Sequence, residues 1–224
     1  MSVFDVLLSL LAAAVPAGLV FVLMARRERV QRGHSRLLTR GFVVGLIVVF
    51  PAVIPVVLFR STAAAPGADG SLLLRAFVLS AATEELAKFL AIRFFLMPSD
   101  HFTRAADGVR GGVACGLGFG IVENVIYSLG VPELALIRSI SAAPLHAGTA
   151  GIIGYAVGRN AFQPGFPLLV GFLPALVLHG AYNLIVIGGV ARGIPALVVA
   201  GLAPVIAVVL AADARRRDEQ ADRR

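Results

Sequence analysis

The sequence predicts an all-α polytopic membrane protein, a bundle of about seven transmembrane helices forming one integral-membrane domain over residues 1–224. Three observations predict it. Hydrophobic residues make up 58% of the chain and charged ones only 15%, against about 25% charged in an average soluble domain. The apolar residues, which raise mean hydropathy to +0.88, fall in seven runs of the length a bilayer-spanning helix needs, about 20 residues. The net charge of +7 lies in the connections and the tail, where the positive-inside rule expects it. That placement speaks against nucleic-acid binding, which needs the charge gathered on one soluble face. The single cysteine, Cys115, leaves no disulfide framework and no cysteine-based zinc site.

Residues Val3 to Ala25 form the first run. It lacks a basic leader and carries Asp5, so it reads as a transmembrane helix and not a cleaved signal. The Arg-rich segment from Arg26 to Arg40 has no apolar periodicity and reads as a cytoplasmic loop with a solvated His34. It places the N-terminus outside. Gly41 to Phe59 is the second span, with Pro51 and Pro55 inside it. Membrane helices tolerate such prolines when neighbours satisfy the freed carbonyls. Residues 60–71 read as an outer loop. The third span, Leu72 to Met97, returns to the cytoplasm, where Arg93 can snorkel and His101 in the following loop is expected in solvent.

The fourth span, Gly108 to Leu129, carries glycines 108, 112, 116 and 120, a smooth stripe against which another helix can pack closely. The fifth, Leu134 to Arg159, has a second small-residue stripe at Ala150, Gly154 and Gly158. The sixth, Phe166 to Ile187, extends a face through Gly171 and Ala175. The seventh, Ile194 to Ala212, ends at Arg215-Arg216-Arg217, which reads as a cytoplasmic stop. Such stripes serve packing within a chain and between chains equally, so the oligomeric state stays open.

Inside four of these runs lie groups that do not belong in hydrocarbon. The third holds Glu84, Glu85 and Lys88, the last being the one Lys among twenty basic residues. Glu123 and Asn124 lie in the fourth, His146 and Thr149 in the fifth, His179 and Asn183 in the sixth. An ionisable group in mid-membrane costs several kcal/mol unless offset, which makes it a functional-site hypothesis by default. At about 1.5 Å rise per residue the two histidines and three glutamates sit roughly 9–20 Å from the outer ends of their spans. They can share one layer.

Carboxylates and imidazoles in a shielded polar cavity make a hydrolytic kit. One carboxylate acts as general base towards water, an imidazole orients the water, binds a metal or donates, and Asn124 and Asn183 offer amide donors to an oxyanion. Lys88 can neutralise one glutamate and leave the other to titrate. Single groups have plainer readings. A lone intramembrane His or Asn is commonly interhelical glue, Thr149 back-bonds to its own helix, and Arg138 snorkels from the outer end. Two other functions use the same groups: a proton-coupled transporter with a relay, against which the lack of an internal repeat counts, and a non-catalytic membrane scaffold.

The ordered motifs Glu84-Glu85-x-x-Lys88, Gly118-Phe119-x-x-x-Glu123-Asn124, His146 with Thr149 and Gly154, and His179-x-x-x-Asn183 resemble the PrsW family of intramembrane proteases, within the wider superfamily of CAAX prenyl proteases and Abi proteins. The resemblance spans a motif-bearing core of about residues 72–187. It implies a multi-pass protease of the bacterial inner membrane acting on a single-span protein in the lipid bilayer, with anti-sigma factors as the associated substrate class. Carried onto this sequence, Glu84 and Glu85 become the base and its partner, with the weight on Glu85 as water activator. Glu123, His146 and His179 complete the catalytic set. The family is filed among metallopeptidases, while members of the superfamily have been interpreted as metal-free glutamate proteases. The His-Glu-x-x-His helix is absent, so Zn²⁺ held by Glu85, Glu123, His146 and His179 and a metal-free site both stay open.

Overall fold

A computed structural model describes residues 2–32, 35–58, 72–189 and 193–223. Seven helices follow one another: α1 (Val3–Arg32), α2 (Arg36–Leu58), α3 (residues 72–96), α4 (Ala105–Ser128), α5 (Pro132–Phe162), α6 (Leu169–Gly188) and α7 (Ile194–Asp222). Among the described residues there is no strand. Six of the seven are long and apolar enough to cross a membrane. The third apolar run is built differently. Its middle, Thr83–Ala91, is α-helical, but Leu74–Ala82 before it and Ile92–Leu96 after it are π-helical. Single π turns inside α-helices mark functional sites more often than chance. Here the Thr83 hydroxyl donates to the carbonyls of Leu79 at 2.7 Å and Ser80 at 2.9 Å, where the register changes.

Several boundaries differ from the sequence reading. The helix of the first span runs on through the arginines to Arg32, and a new one starts at Arg36. Arg and Glu are good helix formers, so the helix continues past its apolar part. The last helix likewise extends beyond Ala212 to Asp222, and this extension is tied down. Asp218 accepts the backbone N–H groups of Ala105 and Ala106, both at 3.1 Å, and so caps the start of α4. His101 is half-buried, not free in solvent. His34 and the expected outer loop at 60–71 lie outside the described residues.

Burial inverts the usual pattern. α5 is almost wholly enclosed and α4 largely so, yet these two are the least apolar of the six candidate spans, while the most apolar, α1, α2 and α7, form the perimeter. Lipid rewards apolar side chains on the outside, whereas the centre is filled by small residues that let backbones touch. A Cβ on Gly112 would lie 2.2 Å from the Ala150 carbonyl oxygen, one on Gly154 2.0 Å from that of Gly108, and one on Gly116 2.1 Å from that of His146. The two stripes therefore face each other, and α4 and α5 form the most extensive helix pair. On another face of α4, Gly118 meets the Phe42 carbonyl oxygen and Gly45 of α2 meets that of Cys115.

Because Gly116 presses on the backbone of His146 itself, this seam also positions the site. Gly116→Ala is expected to lower the melting temperature in detergent, at a cost of about 1–3 kcal/mol as for other overpacked contacts, and to reduce activity with helicity kept. Gly201, with nothing within 4 Å of a Cβ, supplies the control: Gly201→Ala is expected to change neither. Equal behaviour of the two variants would contradict the close α4–α5 seam.

Candidate active site

Four helices each deliver part of one buried polar cluster. In α3, Glu84, Glu85, Lys88 and Ala91 form an i, i+1, i+4, i+7 stripe and are all buried, while Leu86 and Leu90 on the other side are exposed. Lys88 and Glu85 are 0% exposed and His146 and His179 1% each. A buried charge must be paired, and these are. The Lys88 Nζ donates to Glu85 Oε1 at 2.7 Å, lies 2.8 Å from His146 Nδ1 and sits over the Phe119 ring at 4.6 Å. Glu85 Oε1 also lies 2.6 Å from His179 Nδ1 and accepts from the Thr149 hydroxyl at 3.1 Å. One carboxylate oxygen thus ties α3 to α5 and α6. The two imidazole rings meet edge to face, centroids 5.0 Å apart.

Glu123 continues the network on α4. Its Oε2 contacts His146 Nε2 and forms an ion pair with Arg138 Nη2 at 2.9 Å. Arg138 also donates from Nε to Asn124 Oδ1 at 3.1 Å and lies over the Tyr127 ring. The expectation of a snorkelling Arg138 is thereby corrected: its guanidinium is turned inward and braces two polar residues of α4. Thr149 does make the expected back-bond, to the His146 carbonyl at 3.3 Å, but it reaches Glu85 as well.

Glu84 is held least. Its Oε1 accepts from Ser80 at 2.8 Å, and its Oε2, 3.6 Å from His179 Nε2, has no hydrogen-bond partner among the described residues. Glu85 Oε2 and the Asn124 Nδ2 are likewise buried without partners. Asn183 stands apart, its amide given to the Ser80 hydroxyl at 2.9 Å and the Ala76 carbonyl at 3.5 Å, so that it fastens α6 to α3. The sequence reading did not single out Ser80, and it left Arg138 outside the site. A neutral hydroxyl carries no signature in an apolar run. Arg138 could have been found by its spacing from Thr149, about three turns further along the same face of α5.

Formally, Lys88 and Arg138 stand against three carboxylates. Lys88 pairs with Glu85 and Arg138 with Glu123, and Glu84 has neither cation as a direct partner. One ligand atom each from Glu84, His146 and His179 lie within 4.8 Å of one another. With both Nδ1 atoms engaged by Lys88 and Glu85 and the His146 Nε2 by Glu123, the His179 Nε2, 3.6 Å from Glu84 Oε2, is the imidazole nitrogen left to act. The sequence reading named Glu85 and Glu123 in the donor set. In the structure these carboxylates face Lys88 and Arg138, and Glu84 joins the imidazoles instead.

A multi-pass helical bundle with carboxylates and imidazoles gathered in its buried centre defines an integral-membrane protein built like an intramembrane hydrolase. The family model described as "PrsW family intramembrane metalloprotease" matches residues 33–212, and the chain belongs to that family. It is 32% identical over 186 residues to Protease PrsW of Halalkalibacterium halodurans, covering 80% of this chain and 84% of the relative. It is 28% identical over 179 residues to Protease PrsW of Shouchella clausii, covering 78% and 81%. With Protease PrsW of Bacillus subtilis the identity is 26% over 151 residues, covering 65% and 67%. No solved structure matches. The family match takes in α2 and α7, beyond the four motif-bearing helices, and leaves α1 outside. The spans and these bacterial relatives make the chain a multi-pass protein of the bacterial cell membrane.

Proposed function

We propose that the chain is an endopeptidase that cleaves a single-span, membrane-tethered protein by attack of water within the cluster of Glu84, His146 and His179. The observation that carries this reading is the buried, unpartnered Glu84 Oε2 beside two imidazoles. Glu84 is the base in this reading, in preference to Glu85. Glu85 already serves Lys88, His179 and Thr149 through one oxygen, so its work is to hold the histidines in place. As water adds to the scissile carbonyl carbon, its proton passes to Glu84. The Asn124 amide, oriented by Arg138, donates to the developing oxyanion. Collapse breaks the C–N bond, and the proton goes to the departing amine. The family resemblance supports a substrate of the anti-sigma-factor kind. The arginines of residues 26–40 and 215–217 support an outer N-terminus and a cytoplasmic C-terminus.

The donor set fits one divalent ion. One nitrogen from each imidazole and one Glu84 oxygen are the donor types of catalytic zinc sites. Glu84, His146 and His179 are the residues that would hold it, in competition with the contact between His146 and Glu123, and Glu84 would then be a ligand in place of the free base. Such an ion acts as a Lewis acid on the scissile carbonyl or lowers the pKa of water. Protein purified without chelator is expected to carry about one equivalent of divalent metal by elemental analysis, and His179→Ala to lose it. Metal-free protein with full activity would remove the ion from the reading.

The rival is a proton relay in a transporter built on the same groups. Reconstituted protein separates the two. Cleavage of a membrane peptide without solute flux is the expected result, and flux driven by a pH gradient without cleavage would overturn the protease reading.

A further inference from the structure

A cavity of about 550 Å³ lies between the first half of α5, the end of α6 and the start of α7. Leu134, Ile137 and Ile140 of α5, Val186 of α6, and Ala196 and Leu197 of α7 supply its apolar wall. Ile137 and Ile140 are 57% and 58% exposed, so the cavity opens sideways onto the surface that a bilayer would surround. Its size is that of a small-molecule or side-chain pocket. Beside the apolar groups it has Arg138, Ser141 and Tyr182, and these lead inward. Arg138 is bonded to Glu123 and Asn124. Tyr182 stands three residues after His179, its hydroxyl 3.0 Å from that of Ser141. Arg138 thus lines the cavity and bonds the polar cluster as well.

We propose that this cavity is the substrate subsite for the apolar stretch that flanks the scissile bond in a membrane-spanning peptide. The inference rests on the protease reading above. A lipid acyl chain would suit the apolar wall equally but offers nothing to its polar groups. A peptide does. Pro144 has no N–H, so the Ile140 carbonyl lacks its usual donor four residues on and can take one from a bound amide. The Ser141 hydroxyl gives its proton to the Ile137 carbonyl at 2.8 Å, so the Tyr182 hydroxyl, 3.0 Å from that of Ser141, is the one that can turn to a bound carbonyl. A helix keeps its backbone groups to itself, so this wall favours an unwound segment, the form in which a peptide bond can be attacked.

Two experiments on the full chain test the subsite. A benzophenone side chain replaces Leu197, and in a second preparation Ile47, a 61% exposed residue of α2. Both are reconstituted in phosphatidylethanolamine–phosphatidylglycerol vesicles with a synthetic spanning peptide of about 20 apolar residues. The proposal expects peptide adducts at least about five-fold more abundant from position 197. Equal yields, or lipid adducts only, would overturn it. The second experiment narrows the cavity with Leu197→Trp at its partly exposed rim and maps new protein N-termini in cell membranes. Residues beside the cleaved bonds are expected to shift towards smaller side chains. An unchanged spectrum overturns the subsite and leaves the protease reading standing, whereas a wild-type profile with no Glu84-dependent termini overturns both.

Discussion

Glu84→Gln is expected to lower the rate of membrane-peptide cleavage by about 10²–10⁴-fold, the usual worth of a positioned general base, while the protein stays folded. The amide keeps the shape of the side chain, and its oxygen can still accept from Ser80, now 2.8 Å from Glu84 Oε1. Its NH₂ can sit where the unpartnered Oε2 lies, 3.6 Å from His179 Nε2. What it cannot do is take a proton from water or bring a negative charge to a cation. The measurement is the initial rate in proteoliposomes beside the melting temperature of the same preparation. A variant with full activity would move the base elsewhere, with Glu85 the next choice. A variant that fails to fold would show that Glu84 is structural.

Lys88→Met is expected to be the most destabilising substitution in the cluster, at about 3–5 kcal/mol, because it removes one partner of a buried ion pair and strands the other. Methionine preserves much of the apolar stem beside Phe119. The ammonium that donates to Glu85 at 2.7 Å and approaches His146 at 2.8 Å is gone. Glu85 is 0% exposed, so water cannot replace the lost charge. Adding Glu85→Gln to the same chain removes the stranded carboxylate and is expected to restore most of the stability, though not the activity. Thermal or denaturant unfolding in detergent reads the coupling between the two sites. If Lys88→Met alone costs less than about 1 kcal/mol, the ammonium is not the tie that holds α3 to His146 of α5.

The membrane class was legible in the chain because hydrocarbon tolerates so little else. Seven apolar runs can become only helices, and seven helices are found among the described residues. The polar cluster was legible for the same reason: Glu84, Glu85, Lys88, Glu123, His146 and His179 each break an apolar run at a cost that needs a compensating partner. The pairing was not legible. Lys88 and His146 are 58 residues apart, and whether they meet depends on the rotation of α3 and α5, which the π turns around Thr83–Ala91 help to set. A five-residue hydrogen-bonding register leaves no mark in side-chain type. Arg138 was misread because an arginine near the end of a span ordinarily reaches for water. Its inward turn follows from the glycine seam, which brings Glu123 and Asn124 of α4 within its reach. The seam itself was visible in the four-residue spacing of glycines 108, 112, 116 and 120. Helix ends were obscure where charged residues with good helix propensity, as in 26–32 and 213–222, extend a helix beyond its apolar part.

The most direct test of the central claim, that the cluster of Glu84, His146 and His179 hydrolyses peptide bonds, is a comparison of new protein N-termini in membranes. The cells would carry the wild-type chain, Glu84→Gln or Glu85→Gln at equal expression. The account predicts fragments of at least one single-span protein that are present with the wild type and vanish with Glu84→Gln. Identical profiles under several envelope stresses would contradict it and turn attention to proton-coupled transport through the same residues.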